Sequence, residues 1–335
     1  MMSQLRAGLI GMGMMGVNHA RVLSSLDGVE LVGVVDPVAQ PPRTLPNLQQ
    51  FGSVAELLDE NVDYCVVAAP TAYHRDLALE LAAAGVHALI EKPLTVDVET
   101  AELIQRTFDK AGLTGAVGHI ERYNAALQQA RARIANGDLG EIYQISTRRQ
   151  GPFPGRISDV GVILDLATHD IDLTAWVAQQ DFAQVSAKTA HRSGRPHEDL
   201  VAVTGQLADG TVTNHLVNWV SPLKERVTTI TGEKGAFVAD TITADLTFFC
   251  NGVVPTNPGL ARFRGVREGD VTRFAFPKAE PLLVEHENFR DAVVGVEADI
   301  VTLAQAASTV AVANAVARSA RTGTSVSVEP VKVSA

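Results

Sequence analysis

Three glycines lie in the run Gly11-Met12-Gly13-Met14-Met15-Gly16, directly after an apolar stretch and at the start of a helical pattern. In that context a G-x-G-x-x-G run has a chemical meaning. Gly11 permits a tight turn, Gly13 lets the main chain approach a pyrophosphate with Met14 and Met15 beside it, and Gly16 allows helix and strand to pack closely. The helix N-terminus then faces the phosphate charge. Asp36 ends a second apolar run, twenty residues past Gly16. A carboxylate there accepts hydrogen bonds from both adenine-ribose hydroxyls and repels a 2'-phosphate, so NAD is expected ahead of NADP. Alternatives stay open: a glycine turn with no ligand, an Asp36 that caps a turn with Pro37, and an Arg43 that reaches a 2'-phosphate.

A second group is Glu91-Lys92-Pro93, which follows the apolar run His87 to Ile90. Lys92 would stand at a strand's carboxyl end, where open parallel sheets bind ligands. There it can donate hydrogen bonds to a substrate oxygen and, with its pKa lowered by burial, help to pass a proton. Taken alone, the same lysine reads as a solvated surface charge.

Positioning these groups requires a parallel sheet. Short β-branched runs at Arg6 to Ile10, Glu30 to Val35, Tyr64 to Ala68, His87 to Ile90 and Gly115 to Gly118 read as strands. Helical spacing occupies Gly16 to Leu26, Tyr73 to Ala84 and Val96 to Ala111. Pro41, Pro42 and Pro46 predict a short or irregular crossover after the second strand. Beyond Asn124 the pattern changes to helices at Ala125 to Asn136 and Leu166 to Ala178, a strand at Ile142 to Arg149, and five alternating segments between Asp199 and Phe249. Helices at Leu282 to Val293 and Val301 to Ala320 close the chain. The fold class is therefore α/β: a doubly wound parallel Rossmann sheet, then an α/β domain with an open, mostly antiparallel sheet. The expected domains are 1–121, binding NAD, and 122–335, for substrate binding and oligomerisation, with the last helices able to pack back on the first domain. Thr213, His215, Val217 and Trp219 alternate with Val212, Asn214, Leu216 and Asn218. An exposed face containing Trp219 would make a homodimer or homotetramer surface.

Composition excludes several classes of partner. The chain has 335 residues, 46% hydrophobic and 20% charged, the balance of a globular protein. Its net charge is -10 and its Lys and Arg are scattered, so nucleic acid is not an expected partner. No apolar run reaches the roughly 20 residues of a membrane helix, although Arg6 followed by AGLIGMGMMGV imitates a signal peptide superficially. Cys65 and Cys250 have no neighbour at metal-ligand or redox spacing, and a cytoplasmic location is expected.

The glycine turn, Glu91-Lys92-Pro93, Gly118-His119-Ile120-Glu121-Arg122-Tyr123-Asn124, and Asp165-Leu166-Ala167-Thr168-His169, in that order, resemble the Gfo/Idh/MocA oxidoreductase family. The resemblance implies a Rossmann domain, a C-terminal α/β domain, and a dehydrogenase acting on sugars or cyclitols. By it, Lys92 matches the active-site lysine, Asp165 and His169 match a D-x-x-x-H pair, and Ala69-Pro70-Thr71 with His74 match a loop on the nicotinamide side; Glu91 is expected among the cofactor contacts. Spacing of four puts Asp165 and His169 on one helical face, continued by Asp172 and Trp176. A neutral His169 is suited to take a hydroxyl proton, while Asp165 would hold substrate hydroxyls or orient the ring and Lys92 would polarise the oxygen. Asp170 and Asp172 add carboxylates, but without a second histidine or cysteine at ligand spacing no metal is expected.

Ala125, where a proline often stands, and Ala167-Thr168, where a glycine-containing pair is usual, depart from the family pattern. Arg148, Arg149 and Arg156 read as a loop bringing three guanidinium groups near the site, suited to carboxylate or phosphate, or else pairing with acidic side chains. With His119, Arg122, Tyr123 and Asn124 they are similar to members acting on nucleotide-linked amino sugars at the 3-position; free sugar or inositol is the alternative. Some relatives bind the dinucleotide as sensors or regulators without turnover. The presence of Lys92, Asp165 and His169 favours an enzyme.

Overall fold

The structure, a computed structural model, describes residues 4–40, 44–45, 47–155, 160–252 and 268–331. The chain forms two compact units: residues 1–120 with 280–311 and 330–335, and residues 121–279 with 312–329.

Among the described residues, the first unit holds strands β1 (Leu5–Ile10), β2 (Val29–Val35), β3 (Gln50–Phe51), β4 (Tyr64–Val67), β5 (His87–Glu91) and β6 (Gly115–Gly118). They run parallel in the order β3-β2-β1-β4-β5-β6. Helices α1 (Met14–Leu23), α2 (Val54–Leu58), α3 (His74–Ala83) and α4 (Val98–Ala111) connect them. Strand alternation divides the apolar side chains between two cores. Ile10, Cys65, Val67 and Ile90 pack with Leu81 and Ile104, whereas Leu9, Tyr64, Val66 and Leu89 pack with Leu23 and Phe289. Both faces of the sheet are thus covered, as a doubly wound sheet requires. Between Asp36 and Gln49 the described residues form no helix, in keeping with the proline-rich stretch; Pro41, Pro42, Arg43 and Pro46 lie outside them.

The second unit is built on a sheet of β7 (Ile142–Pro152), β8 (Phe182–Ala190), β9 (Leu200–Leu207), β10 (Val212–Asn218), β11 (Val220–Gly232), β12 (Gly235–Asp240), β13 (Asp245–Asn251), β14 (Glu268–Arg273) and β15 (Val326–Ser327). Their order is β14-β13-β12-β11-β7-β10-β9-β8-β15. Pairing is antiparallel except for β10 beside β7. Helices α5 (Ala125–Ala135) and α6 (Thr168–Ala178) cover one face, with Leu127 and Trp176 packed on Ile145, Ile230 and Phe237. No described helix is long and apolar enough to cross a membrane.

The expected exposure of Trp219 is corrected. It is 5% exposed, meets Phe153 edge to face at 5.4 Å, and belongs to the core with Val201, Val203 and Val217. Thr213, His215 and Val217 share that buried side. The opposite face of the sheet carries a polar ladder: Gln144 and Ser146 bond Asn214, while Gln150 bonds Asn218 and Glu225.

His215 lies in the apolar interior, 2.9 Å from Thr147 Oγ1, and burial pushes its pKa down to about 4. The unfolded chain takes up a proton near the ordinary histidine pKa of about 6.5, which the folded chain refuses until about pH 4. Stability is therefore full above pH 6.5 and declines as pH falls from there. Urea unfolding should show His215 costing about 2 kcal/mol between pH 7 and pH 5. His215→Gln should flatten that slope; an unchanged slope would reject the assignment.

Candidate functional site

The glycine run turns from the end of β1 into α1, and each glycine meets a different constraint. Gly11 adopts φ +97°, and a Cβ there would lie 2.7 Å from the Ala68 main chain. A Cβ on Gly16 would press into the Gly11 carbonyl, so α1 can lie this close to the turn only with glycine at both positions. Around Gly13 a Cβ would meet no atom within 4 Å. Gly13 is also the N-cap of α1 and makes no side-chain capping bond, so the first turn presents main-chain N–H groups beside open space. This is a cradle that fits a dinucleotide pyrophosphate. Met14 is exposed and Met15 half-buried at its edge.

Asp36 serves this turn directly. Its Oδ2 accepts from the Met12 N–H at 2.7 Å, and its Oδ1 accepts from Val38 and Ala39 at 2.8 and 2.7 Å. Burial alone would raise its pKa, but the donors from Ala39, Met12 and Val38 outweigh that and hold it below the usual carboxylate range. These bonds occupy three of about four acceptor sites. The turn-capping alternative is thus realised, and capacity remains for roughly one further donor rather than two.

Lys92 follows β5 and is half-buried at the carboxyl edge of the parallel sheet. His74, the first residue of α3, brackets the Lys92 loop: Nε2 lies 2.9 Å from Ala69 O, and Nδ1 lies 3.1 Å from Pro93 O and Leu94 O. The imidazole thereby joins the Ala69-Pro70-Thr71 turn to Glu91-Lys92-Pro93, and burial lowers its pKa against the pull of those carbonyls. Glu91 is buried, with Oε2 accepting from the Lys92 N–H at 3.0 Å and Oε1 2.9 Å from His19 Nε2. His19 Nδ1 in turn meets His286 Nε2 at 2.8 Å. Sequence reasoning missed His19 and His286: one sits inside a helical pattern, the other 267 residues away, and nothing in their own neighbourhoods marks them. His119, at the end of β6, is buried with its N–H on the Val117 carbonyl.

In the second unit, Asp165 lies in a π-helical turn, Ile163–Ala167, that runs directly into α6, and His169 is the second residue of α6. Both are at least nine-tenths buried. The helix is held by buried charge. Asp170 binds Arg149 Nε at 2.8 Å, and Asp172 receives Arg122 through Nε at 2.7 Å and Nη2 at 2.6 Å. At about 100° per residue these aspartates point roughly 200° apart, so arginines from β7 and from the Ile120–Tyr123 turn clasp α6 from nearly opposite sides. His169 projects between the two clasped faces. Arg149 also binds Glu121, whose pKa burial would raise but which Arg149 and Arg226 hold down.

Several expected substrate groups therefore have internal partners. Arg122 is buried against Asp172. Asn124 caps α5, its Oδ1 accepting from Ala126 and its Nδ2 donating to Thr241 O. Tyr123 is buried beside them in sequence. The loop expected at 148–156 is corrected in its first half: Arg148 and Arg149 belong to β7, pairing with Glu225 and with Glu121 and Asp170 respectively. Arg156 lies outside the described residues. Asp172 and Trp176 do not continue an open face; Asp172 is paired and Trp176 packs beneath Arg131.

Two family models match the chain: an oxidoreductase family with an NAD-binding Rossmann fold over residues 5–119, and a GFO/IDH/MocA C-terminal domain over residues 127–238. The chain is 30% identical over 295 residues to a UDP-N-acetylglucosamine 3-dehydrogenase of Acidithiobacillus ferrooxidans, covering 87% of this chain and 90% of that one. A solved structure bearing that name and organism matches with a TM-score of 0.84 at 27% identity, covering 95% of this chain and 98% of the other. A scyllo-inositol 2-dehydrogenase (NAD(+)) of Bacillus subtilis is 29% identical over 193 residues, covering 55% and 56% of the two chains.

Because Arg122 and Asp172 are both buried, removing one partner strands the other. Asp172→Ala should destabilise the second unit by about 3–5 kcal/mol, read as a fall of about 10 °C in the melting temperature. Asp172→Asn, which keeps an acceptor, should lose less; equal losses would show that a neutral acceptor contributes nothing once the charge is gone.

Proposed function

Since the chain belongs to the Gfo/Idh/MocA family of NAD-dependent oxidoreductases, we propose that it oxidises a secondary hydroxyl on the sugar ring of a nucleotide-linked amino sugar. The observation behind the cofactor half is the open space above Gly13, at a bare helix N-terminus and on the same sheet edge as Lys92. The substrate class is supported by the relative named for UDP-N-acetylglucosamine, whose alignment extends over most of both chains.

Gly11, Gly13 and Gly16, with Met14 and Met15, hold the pyrophosphate, Asp36 faces the adenine ribose, and Ala69-Pro70-Thr71 and Glu91 lie toward the nicotinamide. NAD supplies the acceptor for the hydride that leaves the carbinol carbon. Lys92 donates a hydrogen bond to the reacting oxygen and stabilises the charge that develops as its proton departs. His169 takes that proton, and Asp165 accepts from neighbouring substrate hydroxyls. His119, Tyr123 and Arg156 complete the substrate contacts, while Arg122 and Asn124 act from behind by fixing α6 and α5. The enzyme is a cytoplasmic homo-oligomer joined through the polar face of the second unit's sheet; a monomeric mass in light scattering would reject that assembly.

Absorbance at 340 nm, with NAD or NADP and a panel of UDP-linked amino sugars, free aldoses and inositols, tests the substrate. NADH formation with the nucleotide sugars alone is the expected result, and turnover of inositols instead would reassign the class. Lys92→Ala and His169→Ala should each lower kcat by about 10²–10⁴ while NAD still binds. Cofactor binding without turnover of any substrate would favour a sensor. Gly13→Ala should melt as the wild type does yet bind NAD at least about tenfold more weakly, because its methyl group occupies space that the fold leaves open. Unchanged affinity would place the pyrophosphate elsewhere.

A further inference from the structure

Beneath the Lys92 loop, the first unit buries an array of ionisable side chains that the proposed chemistry does not use directly: His19, Glu91, Glu285 and His286. His19 comes from α1, Glu91 from the end of β5, and the other two from the helix Pro281–Val293. Their contacts form one continuous chain of hydrogen bonds. Glu91 accepts the Lys92 main-chain N–H on Oε2, and its Oε1 faces His19 Nε2. Burial opposes the charge on Glu91, but His19 and Lys92 hold its pKa below the ordinary range, so the carboxylate is ionised and Nε2 of His19 carries the hydrogen. On its other side, His19 Nδ1 shares a hydrogen with His286 Nε2, 2.8 Å away. Nδ1 of His286 is buried and has no hydrogen-bond partner among the described residues. Burial, reinforced by His19, keeps His286 neutral, and burial together with the Glu91 charge keeps Glu285 protonated, so Glu91 carries the only negative charge in the array.

We propose that His286 and His19 are positioning residues for Lys92: His286 holds the ring of His19, His19 orients Glu91, and Glu91 fixes the Lys92 main chain at the sheet edge. A His19 ring turned out of this chain would withdraw its hydrogen from the carboxylate, release Glu91 and loosen the Lys92 N–H from its acceptor. Gly118 leaves room for the carboxylate, since a Cβ there would lie 3.3 Å from the Glu91 Cδ. The proposal rests on Lys92 being the catalytic lysine, but the array can be examined without turnover.

The test compares His286→Met with His286→Gln, side chains of similar volume that differ in carrying an N–H. The protein has seven lysines, so ¹⁵N-lysine labelling gives a sparse spectrum in which Lys92 is assigned by its loss in Lys92→Arg. Amide exchange at Lys92 should accelerate in His286→Met and remain slow in His286→Gln. NAD affinity should stay within about threefold in both, and kcat should fall about tenfold in His286→Met alone, the size of effect a small misplacement of a reacting group produces. Glu91→Gln should likewise free the Lys92 amide, and adding His286→Met to it should have little further effect; this arm stands if His286→Met alone does not fold. Equal behaviour of the Met and Gln variants, or slow exchange at Lys92 in both Glu91→Gln and His286→Met, would overturn the proposal. So would an unchanged kcat with the amide freed. A wild type inert toward every sugar would instead count against the dehydrogenase function, and the exchange comparison would still decide whether the array positions the Lys92 main chain.

Discussion

A charge taken out of water must meet its counterpart, and that requirement governs how the chemical groups are carried in both units. Helix α6 would be hard to bury with Asp170 and Asp172 on it were Arg149 and Arg122 not supplied from opposite sides. The clasp costs desolvation, but it removes rotational freedom from the one helix on which His169 must keep a fixed direction. The first unit meets the same requirement with a single carboxylate: Glu91 is buried and spans α1 and the Lys92 loop through its two oxygens. In each case a buried ionic contact lies one residue from a proposed reacting side chain, and rigidity is transmitted through the main chain rather than by touching the substrate.

Glycine achieves by absence what those acids achieve by charge. Gly16 and the Gly11 carbonyl are in such close contact that any side chain would separate α1 from the turn, and this contact aims the helix N-terminus past Gly13. Asp36 then ties the turn from behind by accepting the Met12 N–H. Phosphate affinity here depends on main-chain groups whose direction is set by packing, which explains why so few side chains are needed.

The parallel sheet was legible because both its faces are buried and its strands are short apolar runs, so strand positions differ from expectation by about a residue at either end. The glycine turn was legible because its chemistry is local. Strand β8 was not, since an irregularity in its pairing with β9 between Phe182 and Gln184 breaks the alternation that betrays a half-buried strand. Trp219 was placed on the wrong side because β10 carries apolar residues on both faces, Val212 and Leu216 on one and Val217 on the other, while Thr213 and His215 are buried. Arg149 looked like a loop cation because Gly151 and Pro152 imitate a turn, yet β7 continues through them. His19 and His286 show the deeper limit: their significance lies in a contact across 267 positions, which no local periodicity encodes.

The division of the chain has a consequence for its synthesis. Phe289, Val301, Leu303 and Ala306 complete the two cores of the first unit, yet they are translated after residues 121–279, which form the body of the second. At the usual 5–20 residues per second, a nascent first unit waits on the order of ten seconds with part of its apolar surface uncovered while the inserted segment emerges. During that interval His286 is also missing, and Glu91 and His19 must wait for it. The order of the genetic message thus makes the Lys92 loop among the last parts of its unit to settle, although most of that unit's sheet precedes it from the ribosome.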